Sequence, residues 1–297
     1  MLYRPYGRSG FSLSAVSLRL DETYTTLSAR DQRDLVFCAL EHGINGFHLE
    51  NLDAAALSRF GAALNTLDRP IFFVSLGLRP SPHGFHPEDI RQPLELYLQH
   101  SGLRWVDVVM LNAGQGAGLP DTATLQWLRS LKSAGHLRAI GFCAAGEARD
   151  QWLNSGRFDV ACMPYNLDSG WDDRNRIARA TVSDMTILAF DHLPEAYRER
   201  KNVVPPEARR GLFRKPPANR PLAGAGTYAF LHDTPGWTAD QLCLAISLNE
   251  PRVASVLVTT CDRKRLAALA SVPDRQIPSG LAAQLEMARF SGIKTGS

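Results

Sequence analysis

A glycine set just after an amphipathic stretch and just before a short β-rich apolar run recurs along this chain, and no other feature restricts its fold as tightly. Gly43 precedes "INGFHL", Gly102 precedes "LRWVDVVML", Gly135 precedes "HLRAIGF" and Gly156 precedes "RFDVACM". Glycine adopts the left-handed conformation that closes a helix without a Cβ clash, so each of these marks a helix-to-strand corner. Runs of the same kind at 11–20, 71–76, 185–190 and 253–259 bring the expected strands to eight. They are near-continuous apolar runs, as strands covered on both faces are. Helical periodicity lies between them. Residues 31–42 place Leu35, Val36, Ala39 and Leu40 on one face, and 122–134 do the same with Leu125, Leu128 and Leu131. Stretches 238–250, 262–270 and 279–290 read likewise.

Eight strands alternating with helices in 297 residues is the pattern of an α/β chain folded as a (β/α)8 TIM barrel, one domain spanning 1–297. A doubly wound open sheet competes, but no G-x-G-x-x-G follows the first strand. "LYRPYGRSGFSL", ahead of the barrel, reads as a β-hairpin turning near Gly7 and Gly10. Thr238 followed by Gln241 forms a capping box for the helix after it, and Asp168 or Ser169 is expected to cap the helix after "PYNLDSGW". The C-terminal helix at 279–290 offers Leu281, Leu285, Met287 and Ala288 to cover the barrel.

Bulk properties narrow the class of function. At 44% hydrophobic and 21% charged the composition is that of an ordinary soluble domain. A net charge of +3 points to no nucleic-acid partner. No run approaches the roughly 18 apolar residues of a membrane span, and the N-terminus does not read as a signal peptide. Five scattered cysteines without C-x-x-C suggest reduced thiols and a cytoplasmic setting, and no metal-ligand spacing occurs. One segment stands apart. Residues 198–221 hold five prolines and eight Lys/Arg against two Glu, and have no helical or strand period. A long loop after a barrel strand lies on the functional face, so this one reads as a surface excursion or as a contact for an acidic partner or anionic ligand.

In a barrel of this type chemistry sits at the C-terminal strand ends. Taken in order, those ends resemble the aldo/keto reductases. The opening "YRPYGRSGFSLSAVSL", then "ALEHGINGFH", "WVDVVMLN", "LRAIGFC", "FDVACMPYNL" and "MTILAFDHL" each resemble a family element, in family order, from Met1 to about Leu269. The resemblance implies hydride transfer from NADP(H) to a carbonyl. A tyrosine would protonate the alkoxide, with a lysine–aspartate pair lowering its pKa and a histidine orienting the carbonyl. An unassisted phenol, with a pKa of about 10, is a poor acid–base catalyst near neutrality.

Aligned on those motifs, this chain departs at all four positions. His48 stands at the aspartate position, Asp53 at the tyrosine, Leu76 at the lysine and Asn112 at the histidine. No tyrosine lies between Tyr24 and Tyr97, and no lysine precedes Lys132. The positions that would hold the nicotinamide amide are Cys143, Ala144 and Cys162, and two strand-one glycines become Ser17 and Arg19. The ring-stacking aromatic is kept in kind as Phe190, and Thr260 and Arg265 stand near the expected phosphates.

The residues themselves leave several readings open. His48 can be an acid–base group or a hydrogen-bonded structural histidine, with Glu50 on the same face if the strand extends so far. Arg19 can bind an anion or pair with Glu50, Asp53 or Asp191. Cys143 and Cys162 fall on neighbouring strands, so they can pack, ligate a metal, form a disulfide or act as redox thiols. Asp191 and His192 can join them. Three functions follow: a binding, regulatory or scaffold subunit with a small-molecule or protein partner; an enzyme with a repurposed pocket; or an ordinary NADP-dependent reductase.

Overall fold

The computed structural model describes residues 1–7, 9–81, 84–113, 118–146, 148–198, 228 and 230–292. Strands β1 (Tyr3–Pro5) and β2 (Ser12–Ser14) form an antiparallel hairpin, with Tyr3 opposite Ser14. Eight parallel strands then close a barrel: β3 (Val16–Leu20), β4 (Gly46–Glu50), β5 (Phe73–Leu78), β6 (Val106–Ala113), β7 (Leu137–Ala144), β8 (Val160–Pro164), β9 (Thr186–Phe190) and β10 (Val253–Thr259). Each strand pairs with its sequence neighbours, and β10 pairs with β3 to seal the ring. The architecture is the expected TIM barrel with its N-terminal hairpin and a C-terminal helix, Leu281–Gly292. The corner glycines Gly43, Gly102, Gly135 and Gly156 all take positive φ, between 65° and 80°.

Two strands differ from expectation. The run 11–20 breaks at Ala15 into a hairpin strand and a barrel strand. The Asn45 side chain accepts from Ser14 N at 2.8 Å and donates to the Ser12 carbonyl at 2.9 Å. It thus supplies the partners that β2 would otherwise seek in the sheet. β5 begins at Phe73 rather than Ile71, because Arg69–Ile71, with Pro70, forms a 3₁₀ turn. Capping of the helix Ala239–Leu248 by Thr238 and Gln241 is as expected. The helix Trp171–Val182 is capped by Gly170 with no side-chain bond. Asp168 instead accepts from the Tyr197 hydroxyl, and Ser169 from Asn166 N. Basic segment 198–221 lies outside the described residues except for Arg198. Among the described residues no helix is long and apolar enough to cross a membrane.

Polar residues at the N-terminal ends of strands fix the barrel's register. Asp107 is 3% exposed and accepts from Val74 N on the neighbouring strand at 2.8 Å. Arg69 (2.7 Å), Arg138 (3.1 Å) and Trp105 Nε1 (3.1 Å) neutralise and orient it. Asp159 does the same between β7 and β8, accepting from Ile140 N and Lys132 Nζ. A one-residue slip in a strand would exchange lumen and outer faces, so these carboxylates decide which residues enter the lumen. At the same end Tyr6 and Phe11 of the hairpin pack on Phe73, with ring centroids 4.5 and 5.9 Å away, and fill the bottom of the barrel. Removing the buried carboxylate in Asp107→Ala strands Arg69 and the Val74 N–H. We expect a loss of about 3–5 kcal/mol, measured by urea denaturation.

Candidate ligand pocket at the strand ends

Side-chain alternation along a strand sends every second residue into the lumen. At the C-terminal rim that rule gathers Arg19 from β3, His48 and Glu50 from β4, Asn112 from β6, Cys143 from β7, Cys162 from β8 and Phe190 from β9 around one pocket of ≈ 370 Å³. Arg79 and Pro80 close one side of it, and Ala113, Ala144, Ala145 and Leu257 complete an apolar wall. Eight of the residues singled out in the sequence thus meet in one place: Arg19, His48, Glu50, Asn112, Cys143, Ala144, Cys162 and Phe190.

The centre of the pocket is a carboxylate. Glu50 is 4% exposed and accepts from Arg19 Nη2 at 2.6 Å, Arg79 Nε at 3.1 Å and Asn112 Nδ2 at 3.1 Å. Burial pushes its pKa up, but the two guanidiniums outweigh that and hold it below the ordinary carboxylate range. Of the partners the sequence offered Arg19, Glu50 is the one it takes. Arg19 Nε and Asn112 Oδ1 are buried without a hydrogen-bond partner among the described residues.

His48 lies beside this pair. Its Nδ1 shares a hydrogen bond with Ser75 Oγ at 2.7 Å, and its Nε2 is 4.0 Å from Glu50 Oε2. Burial is the main cause of a pKa lowered to about 4, so the ring is neutral near pH 7. Gly77 leaves room for this ring: a Cβ there would stand 2.8 Å from His48 Nε2, and the imidazole would have to shift.

Four sequence-predicted positions are not free members of the pocket. Leu76 faces the outer layer, because β5 turns Phe73, Ser75 and Gly77 inward. The lumen residue that meets His48 from β5 is Ser75, its register partner. Asp53 is the N-cap of the helix Ala54–Leu64, accepting from Ala56 N at 2.7 Å, and lines a separate groove with Leu76. Thr260 is 8% exposed and its hydroxyl accepts from Asp262 N. Asp262 in turn takes the N–H groups of Lys264 and Arg265 that open the next helix. The Arg265 guanidinium is held by Asp240 Oδ2 at 2.5 Å and the Thr259 carbonyl at 2.8 Å. His192 bonds the other oxygen of Asp240 at 2.8 Å. Burial opposes ionisation of Asp240, but these two partners bring its pKa down to about 2. Neither His192 nor Asp191 lines the pocket with the cysteines, and no metal-binding group of three or more acidic, His or Cys side chains occurs among the described residues.

Ser75 and Arg79 were missed in the sequence. The period-two pattern Phe73, Ser75, Gly77 carried the signal for the first, and Arg79 directly follows the strand's end.

No family model and no curated protein sequence matches the chain. Solved structures do. An aldo-keto reductase from Klebsiella pneumoniae in complex with NADPH superposes over 96% of this chain and 95% of its own, with a TM-score of 0.71 and 17% identity. The holo form of an aldo-keto reductase from Bacillus halodurans covers 98% of this chain and 96% of its own, with a TM-score of 0.72 and 15% identity. The fold is that of the aldo-keto reductases, as the sequence motifs suggested. At these identities the likeness establishes architecture, and function has to be argued from the pocket.

The His48 geometry carries a pH signature. Its folded pKa lies below the unfolded value near 6.5, so the unfolded chain takes up a proton first as pH falls. Stability is therefore full above pH 6.5 and declines towards pH 4, by on the order of 3 kcal/mol. In His48→Asn that part of the acid slope is expected to vanish, read from denaturation midpoints across this range.

Proposed function

We propose that this chain is a binding protein built on an aldo-keto reductase fold, holding a small anionic molecule in the lumen pocket rather than reducing carbonyls by the tyrosine–lysine route. The observation that carries the reading is the pocket's set of polar groups. Among the described residues its lining has no phenol and no ammonium; the ionisable groups besides the two thiols are Arg19, Arg79, Glu50 and a neutral His48. A guanidinium does not release a proton near neutrality, and an imidazole with a pKa of about 4 carries none to spare.

Two further features speak against NADP(H) in the groove that the resemblance implies. The helix N–H groups and Arg265 near the expected phosphates are engaged by Asp262 and Asp240, carboxylates of the chain itself. At the other end Arg19 lies across the strand-one rim to Glu50, and thiols stand where the nicotinamide amide would find its ligands.

The ligand class follows from charge and shape. Two guanidiniums face one lumen carboxylate, and Glu22 reaches Arg79 only from the solvent side, at 3.5 Å with 67% exposure. The remaining positive charge suits a carboxylate, and the alanines, Phe190 and Leu257 suit a compact apolar body. Segment 198–221, with its excess of positive charge, adds to the same preference.

Thermal-shift screening of the purified chain against small carboxylates, phosphate esters and neutral carbonyls tests the reading. Small carboxylates are expected to raise Tm saturably. Arg79→Gln, at an exposed guanidinium, is expected to weaken that binding about tenfold or more, as loss of a charge-assisted hydrogen bond does. Steady carbonyl-dependent oxidation of NADPH by the wild-type chain would overturn it.

A further inference from the structure

Cys143 and Cys162 are register partners on β7 and β8. Both line the lumen pocket, Cys143 half-buried and Cys162 fully buried. Directly paired residues on neighbouring strands lie about 4.8 Å apart, within the range of roughly 4.4–6.8 Å that a disulfide spans between Cα atoms. Both side chains leave their strands on the lumen side, so the Cβ vectors are not opposed. The remaining cysteines have no such relation. Cys38 and Cys243 sit on separate helices, and Cys261 follows β10.

We propose that Cys143 and Cys162 are a redox-active dithiol, oxidised to a cross-strand disulfide by a hydroperoxide that enters the lumen pocket. This inference goes beyond the binding function and does not rest on it.

The two thiols are unequal, and their difference assigns the roles. The Cys162 thiol is wholly buried, and its neighbour Cys143 together with burial holds it protonated, well above the ordinary thiol range. Cys143 is the sulfur open to the pocket. As thiolate it attacks the distal oxygen of the hydroperoxide. The O–O bond breaks, the alkoxide leaves and takes up the proton that Cys143 had released, and Cys143 becomes a sulfenic acid. The Cys162 sulfur then attacks the Cys143 sulfur. The S–O bond breaks, the hydroxyl leaves with the Cys162 proton as water, and the S–S bond forms. Two thiols are oxidised by two electrons, and one hydroperoxide is reduced to one alcohol and one water. A small dithiol reverses the reaction by exchange.

The test uses the full chain, reduced and then exposed to hydrogen peroxide, with peptide mapping after alkylation of the remaining thiols. A peptide pair joined through Cys143 and Cys162, lost again on treatment with dithiothreitol, is the expected result, and the count of reactive thiols falls by two. Cys162→Ser is expected to stop at a sulfenic acid on Cys143 that dimedone traps, and Cys143→Ser to form no disulfide at all. Each exchanges sulfur for oxygen and adds no volume, and the wild-type map stands without them. Oxidised wild type in which both residues remain alkylatable, or in which links join other cysteines instead, would overturn the proposal.

Discussion

A closed ring of eight parallel strands leaves a lumen of fixed width into which every second side chain must point, and in this chain that constraint drives a carboxylate out of water. Glu50 cannot turn away, since β4 pairs residue by residue with β5 through Glu50 itself. An unpaired carboxylate so buried would be costly, so the rim around it is built from its partners. Arg19 reaches across from β3, Arg79 returns from the end of β5, and Asn112 donates from β6. His48, two residues earlier, has to fit beneath this cluster. It does so as a neutral ring against Ser75, with a glycine across from it. The pocket's shape and charge are consequences of neutralising one acid.

The same logic operates at the end of the barrel where a cofactor's phosphates would be expected. There Asp240 sits between His192 and Arg265, and Asp262 occupies the helix N-terminus. A helix N-terminus and an arginine together make an anion site, and this chain fills it with its own side chains. The chain thus shares its frame with a structure solved in complex with NADPH, while its own helix N–H groups at this place are taken by Asp262.

The barrel was legible because its signals are local and repeated. Gly43, Gly102, Gly135 and Gly156 announce left-handed corners by the absence of a side chain, and the β-rich runs after them need no knowledge of what they touch. Much of the pocket was legible too, because strand-end positions in a barrel converge whatever their spacing in sequence; Arg19, His48, Asn112, Cys143, Cys162 and Phe190 came together for that reason. The positions that lie outside the pocket do so for reasons of parity or of loop structure. Leu76 was assigned by alignment to motifs, and one residue of register separates it from Ser75, which faces the lumen. Asp53 lies past the strand, where helix capping claims it. Thr260 and Arg265 are near the right place, but their partner Asp240 lies on another helix, and sequence proximity gives no sign of that contact.

Central to the proposed function is that the chain binds a small anion in its lumen and does not bind the nicotinamide cofactor. Isothermal titration of the purified chain with NADPH tests it most directly. The account predicts no saturable heat, because Asp240, Asp262 and the Arg19–Glu50 pair already occupy the groups the cofactor would need. Saturable one-to-one binding of NADPH would contradict it.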